Sequence, residues 1–212
     1  MTFSPQLRPA HFRRSDVVAP FLLDTNAYAL LLENPRQAEP YAALMSALAD
    51  GPHASFYLPE IVSMEIHSLL GKYRRGGNKA QQQACDRHVV FEKSVIPCRH
   101  TCVFPQHRRM GARLYKGLLK VITDIEQQRG DLKATVLPMA LNEITIARSL
   151  LRDFADRFSF GSHDALVAAA TLQLLQRVPG LTLVTRDRGL KSLAREVKIN
   201  VYDPTIKLAV SK

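Results

Sequence analysis

The sequence predicts an α/β fold, a three-layer α/β/α domain around a central parallel sheet of about five strands. Three observations carry that expectation. Short apolar runs alternate with longer helical patterns along 212 residues, which is how a parallel sheet covered by helices on both faces reads. One helical pattern, "HDALVAAATLQLLQR" (163–177), is apolar nearly all round and needs cover on every side. Hydrophobic residues make up 46% of the chain, enough for one full core.

The elements follow in order. "FLLDT" (21–25) is an apolar run closed by Asp-Thr-Asn, a strand ending at a turn. "PYAALMSALAD" (40–50) is helical, and Gly51-Pro52 stops it. "ASFYL" (54–58) is the second strand. Pro59 then opens a helix to about Tyr73, since proline suits a first turn. "RRGGN" breaks the chain. The polar stretch 79–93 is expected to be helical, and "VIPCRHTCVFPQH" (95–107) reads as loop. "RRMGARLYKGLLKVITDIEQQRG" (108–130) is a long amphipathic helix. "KATVLP" (133–138) is the third strand and "MALNEITIARSLLRDFADRF" (139–158) a helix. After the apolar helix at 163–177 come the strand "LTLVT" (181–185), the helix "RGLKSLARE" (188–196) and the strand "INVYD" (199–203). The expected organisation is a basic arm over 1–20, one domain over 21–203 with a helical insert at 76–132, and a tail at 204–212.

Composition excludes several classes. No apolar run approaches the ~20 residues that a bilayer span requires. The N-terminal stretch "MTFSPQLRPAHFRRSD" has arginines but no apolar core, so it does not read as a secretory signal. Three cysteines form no disulfide framework and suit a reducing compartment, so a cytoplasmic location is expected. The net charge of +10 favours a polyanionic partner, most simply nucleic acid.

Ligands of parallel α/β sheets gather at the carboxyl ends of strands. Asp24 ends the first strand and Asp187 follows the fourth. Each has a local explanation: Asp24 as a turn or cap residue, Asp187 as a helix N-cap. Glu65 has Ile61 and Leu69 four residues either side and Val62 three before, which puts it on the apolar face of its helix. A glutamate there needs a metal or an ion-pair partner. Asp164 falls in a first turn, with Ser162 as the expected N-cap. It is the only charge from there to Gln176, and the alanines at 165 and 168–170 would let the helix approach the sheet closely.

These four acids in strand-end, helix, helix-start and strand-end contexts resemble the PIN domain family of metal-dependent ribonucleases. The stretches that carry the likeness are "LLDTN", "LPEIVSMEI", "HDALVAAA" and "LVTRDRGL", with "TVLPMALNEITIA" similar to the family's third strand and following helix. The likeness covers most of residues 21–203. Small single-domain members are commonly VapC-type toxins, though the region between Glu65 and "TVLP" is longer here and the arm before Phe21 is additional. The resemblance implies RNA hydrolysis leaving a 5′-phosphate, a homodimer, and for a toxin a small antitoxin partner.

The chemistry agrees. Clustered carboxylates repel each other unless cations neutralise them, and hard oxygen donors favour Mg²⁺ or Mn²⁺. Asp24 and Asp164 are the expected principal ligands. Glu65 ligates or positions the attacking water, and Asp187 completes the site. Asn26 and Thr185 are candidates to hold those carboxylates by hydrogen bonds. For RNA contact, Arg109, Arg113, Lys116 and Lys120 recur at spacings of three and four and make one basic helix face. Arg186 and Arg188 flank Asp187 and are better placed for the scissile region.

Competing readings remain. Cys85, His88, Cys98, His100, Cys102 and His107 lack the paired knuckle spacings of a zinc site. An aspartyl phosphotransferase of the haloacid dehalogenase type wants a second Asp where Asn26 stands. A processing nuclease without antitoxin, or a catalytically silent RNA-binding module of the same fold, stays open beside the toxin.

Overall fold

The structure is a computed structural model and describes residues 20–32, 54–76, 82–84, 88–91, 94–97, 101–103 and 109–206. Its strands are β1 (Phe21–Leu23), β2 (Ala54–Pro59), β3 (Gln82–Ala84), β4 (His88–Phe91), β5 (Ser94–Pro97), β6 (Thr101–Val103), β7 (Leu132–Leu137), β8 (Thr182–Val184) and β9 (Asn200–Tyr202). Its helices are α1 (Thr25–Leu30), α2 (Glu60–Arg75), α3 (Ala112–Glu126), α4 (Leu141–Phe154), α5 (Ser162–Leu175) and α6 (Arg188–Glu196).

Five strands pair in parallel in the order β7-β2-β1-β8-β9. Helices flank this sheet, as the alternation of elements predicts. Leu22, Leu23, Leu58, Leu183 and Val184 are fully buried in it. β1 is central because it is apolar throughout, with no side chain fit to face water. α5 meets the expectation of burial: Ala165, Val167, Ala168, Ala169 and Thr171 are enclosed. Thr171 satisfies its own hydroxyl by donating to Val167 O at 2.8 Å.

The strand order has one consequence for function. From β1 the chain steps outward through β2 to β7, then returns to place β8 and β9 on the other side. The order therefore reverses between β1 and β8, and a crevice opens at their carboxyl ends. Asp24 follows β1 and Asp187 follows β8 within three residues.

The insert differs from expectation. The stretch 79–93, expected to be helical, contains β3 and β4, and the expected loop at 95–107 contains β6 and most of β5. β3 pairs with β6 and β4 with β5, both antiparallel and in one shared register from Gln82↔Val103 to Phe91↔Ser94. The cause is local: "HVVF" and "SVIP" are β-branched runs two residues apart, a hairpin pattern that such short runs easily hide. Among the described residues of the insert, α3 at 112–126 is helical as expected. The expected helix at 40–50, the basic arm before Pro20, and Cys85, Cys98, His100 and His107 lie outside the described residues.

Among the described residues no helix is long and apolar enough to cross a membrane.

Candidate functional site

The site is assembled from backbone upward at the end of β1. Asp24 N–H continues the ladder to Val184 O at 3.1 Å, and Thr185 N–H does the same to Tyr202 O at 3.1 Å. Asp24 and Thr185 thus stand side by side, one step past the last paired residues. Thr185 Oγ1 donates to Asp24 Oδ2 at 2.5 Å. Asp24 Oδ1 accepts the Ala27 N–H at 2.7 Å and caps α1. The local explanation of Asp24 is therefore correct, and so is that of Asp187, whose Oδ1 accepts the Leu190 N–H at 2.7 Å and caps α6. Capping fixes each carboxylate in place at the crevice. Thr185 also links the two: its Oγ1 accepts the Asp187 N–H at 3.0 Å.

Asp164 arrives from the start of α5. The N-cap there is Gly161, not the expected Ser162. Asp164, in the first turn, accepts the Gly161 N–H at 2.9 Å, so no hydroxyl is needed at the cap. Glu65 arrives from α2, but not from its buried stripe as the spacing predicts. That stripe is Val62, Ile66 and Leu70, and Glu65 stands at its edge with a side chain 39% exposed. There its Oε2 accepts from Thr25 Oγ1 and lies 2.7 Å from His163 Nε2.

The electrostatics tie these groups together. Asp24 is 3% exposed. Burial pushes its carboxyl up to about 6, and Asp164 and Asp187 push in the same direction against the hydrogen bonds from Thr185 and Ala27. Burial also raises Asp164, helped by Asp187 and Glu65 and opposed by the Gly161 N–H and His163. Among the described residues no lysine or arginine pairs with Asp24, Glu65, Asp164 or Asp187; His163 alone faces Glu65.

Other sequence-predicted residues are placed less closely. Asn26 is exposed on α1 and lines an open polar groove of about 660 Å³ with Arg186, Asp187, Arg188, Lys191 and Asp203. Arg186 and Arg188 therefore line this groove beside Asp187. Arg109, Arg113, Lys116 and Lys120 are exposed. Met110 N–H donates to Tyr73 O at 2.9 Å, so this basic stretch begins beside the far end of α2. Ten residues of helix separate Glu65 from Arg75, about 15 Å. Lys120 is paired with Asp124 on its own helix.

Sequence reasoning gave no role to Thr25 or Asp203. Thr25 was visible only as part of "DTN". Asp203 ends β9, is 7% exposed, and takes hydrogen bonds from Lys191 Nζ at 2.5 Å and Thr205 N–H at 2.9 Å. Burial alone would raise its carboxyl, but Lys191 and Thr205 outweigh burial and hold it below the usual range. It already has its cation, unlike the other four acids. A second cleft, about 220 Å³, lies between Pro59, Ile61, Leu137 and Met139. Its carboxylates already accept from backbone amides of the cleft wall: Glu60 from Met139 N–H and Glu143 from Ala140 N–H.

The donor set suits a hard divalent cation. All four groups are carboxylates, and Asp164 Oδ1, Asp187 Oδ2 and Glu65 Oε1 have no hydrogen-bond partner among the described residues. As the side chains stand, among the described residues no group of three or more His, Cys, Asp or Glu is drawn into ligating geometry. Compared with known proteins, the chain matches no family model, and no curated protein matches it.

Proposed function

We propose that this chain is a Mg²⁺- or Mn²⁺-dependent ribonuclease of the PIN type, hydrolysing RNA phosphodiesters to leave a 5′-phosphate. The observation that carries the reading is the uncompensated charge at the end of β1. Asp24 is buried, is repelled by Asp164 and Asp187, and has no basic partner among the described residues. Carboxylates kept in that state suit a site completed by a cation.

In this reading Asp24 and Asp164 hold the cation, and Asp187 and Glu65 contribute their unengaged oxygens directly or through water. A bound divalent ion supplies charge for the scissile phosphate and an acidified water. Thr185 keeps Asp24 and the start of α6 in register through one hydroxyl. Arg186 and Arg188 line the polar groove beside Asp187 and would hold flanking phosphates.

The test is cleavage of labelled single-stranded RNA and tRNA with Mn²⁺ or Mg²⁺, beside EDTA. The expected result is metal-dependent cutting that EDTA abolishes. Folded protein that cuts neither substrate with either metal would overturn the enzyme in favour of an RNA-binding module.

The distance between the two basic regions adds a second expectation. Arg186→Glu with Arg188→Glu should weaken binding of short and long RNA alike, and flatten the log-log salt slope by about 0.7 per cation removed. Arg109→Glu with Arg113→Glu should affect only RNA long enough to reach the far end of α2. Fluorescence anisotropy over a salt series reads both. A short-RNA slope unmoved by the first pair removes the groove from the binding account.

A further inference from the structure

One side chain at the crevice has no role in the chemistry above. His163 sits on α5 beside Asp164 and directs Nε2 to Glu65 Oε2 at 2.7 Å. Thr25 Oγ1, on α1, donates to the same Oε2 and lies 3.5 Å from that imidazole nitrogen. Two donors from two helices therefore grip one oxygen of a glutamate on a third. The other oxygen, Oε1, has no partner among the described residues.

Glu65 needs such a grip. It stands at the edge of α2's buried stripe, and packing alone does not choose its rotamer. A partly exposed glutamate loses rotamer freedom when held in one place. Asp164 also repels it, which favours rotamers that swing it toward solvent. His163 contacts Glu65 and directly precedes Asp164 on α5. His67, on α2 itself, is turned elsewhere: its Nε2 lies 3.6 Å from Glu126.

We propose that His163 is a positioning residue for the metal centre: with Thr25 it holds Glu65 Oε2, so that Oε1 is presented to the cation beside Asp164. This rests on the metal-dependent reading above. Hydrogen-bond partners of this kind orient a ligating carboxylate, and their loss typically costs 10–100-fold in metal affinity.

The test is Mn²⁺ affinity of the full chain by titration calorimetry, for wild type, His163→Ala and His163→Gln. His163→Ala is expected to weaken binding by about tenfold or more. His163→Gln, which keeps a side-chain N–H donor, should recover most of it. In cleavage, His163→Ala should lower kcat and leave the KM for RNA unchanged, because the RNA groove is untouched. A metal-free readout stands beside these: Glu65→Gln should move the imidazole ¹⁵N resonance of His163. The outcomes separate the two claims. Wild type that binds no Mn²⁺ overturns the metal centre and the positioning role with it. Wild type that binds Mn²⁺ no more tightly than folded His163→Ala overturns the positioning role alone. An unmoved His163 resonance in Glu65→Gln also overturns it.

Discussion

Asp24→Asn is expected to abolish metal-dependent cleavage and, at the same time, to stabilise the metal-free protein above pH 6. If Asp24 holds the cation as proposed, its loss should cost on the order of a thousandfold in rate, equivalent to several kcal/mol of charge stabilisation. The gain in stability follows from the raised carboxyl of Asp24, pushed from 3.8 to about 6 chiefly by burial. Between those two values the folded protein holds the proton and the unfolded chain has released it. Protonation therefore favours the fold, and this contribution is lost as the pH rises through about 6. A shift of that size corresponds to about 3 kcal/mol as a ceiling. Asparagine carries no charge to desolvate and can still accept the Ala27 N–H. Asp164 shifts in the same direction and Asp203 in the opposite one, so the difference between wild type and variant is the clean readout. Denaturation at pH 4 and pH 8, with and without Mn²⁺, measures it. The variant should gain over wild type at pH 8 without metal, and Mn²⁺ should stabilise only the wild type. A variant equal to or weaker than metal-free wild type at pH 8 would mean that the buried charge carries no cost.

Gly189→Ala is expected to be the most damaging small substitution at the site. A Cβ at Gly189 would lie 1.7 Å from Ser159 O and 2.6 Å from Ser159 C. Both obstacles are backbone, so no side chain can turn aside. Gly189 is two residues past Asp187, and Ser159 is two residues before the Gly161 N–H that Asp164 accepts. One methyl group would therefore drive the start of α6 from the start of α5, and Asp187 from Asp164. Forced overpacking of this kind costs roughly 3 kcal/mol. The urea midpoint should fall with an unchanged slope, and the folded fraction should lose Mn²⁺ affinity. Gly117→Ala is the control: nothing lies within 4 Å of its Cβ, and inside α3 alanine should add about 0.5–1 kcal/mol. A wild-type midpoint for Gly189→Ala would show that the loop before α5 yields freely.

The elements of the main sheet were readable because their signals are short-range. The strand "LTLVT" and the helix "RGLKSLARE" are set by turn residues and period, and both lie where they were expected. Asp24 and Asp187 were legible as caps for the same reason: a cap is a bond to an amide three residues on. The pairing of β3 with β6 was not legible, since it spans up to twenty-one residues. The side of α2 that carries Glu65 was read one position off, because Ile61 and Leu69 resemble core residues by type while Val62, Ile66 and Leu70 are the ones enclosed.

What the sequence by itself determined is the alternation of strand and helix, the caps, and the three acids at the starts and ends of elements, Asp24, Asp164 and Asp187. Those features depend on neighbours along the chain. The tertiary structure alone decided that β1 lies between β2 and β8, so that two separate caps become adjacent groups. It also decided that Thr185 reaches Asp24 across 161 positions, and that Thr25 and His163 converge on Glu65. Burial then changes the chemistry of Asp24, from an ordinary capping carboxylate to one pushed up to about 6. No local pattern encodes that change, because desolvation depends on how many other segments close over the group, and the pairing of parallel strands sets that number.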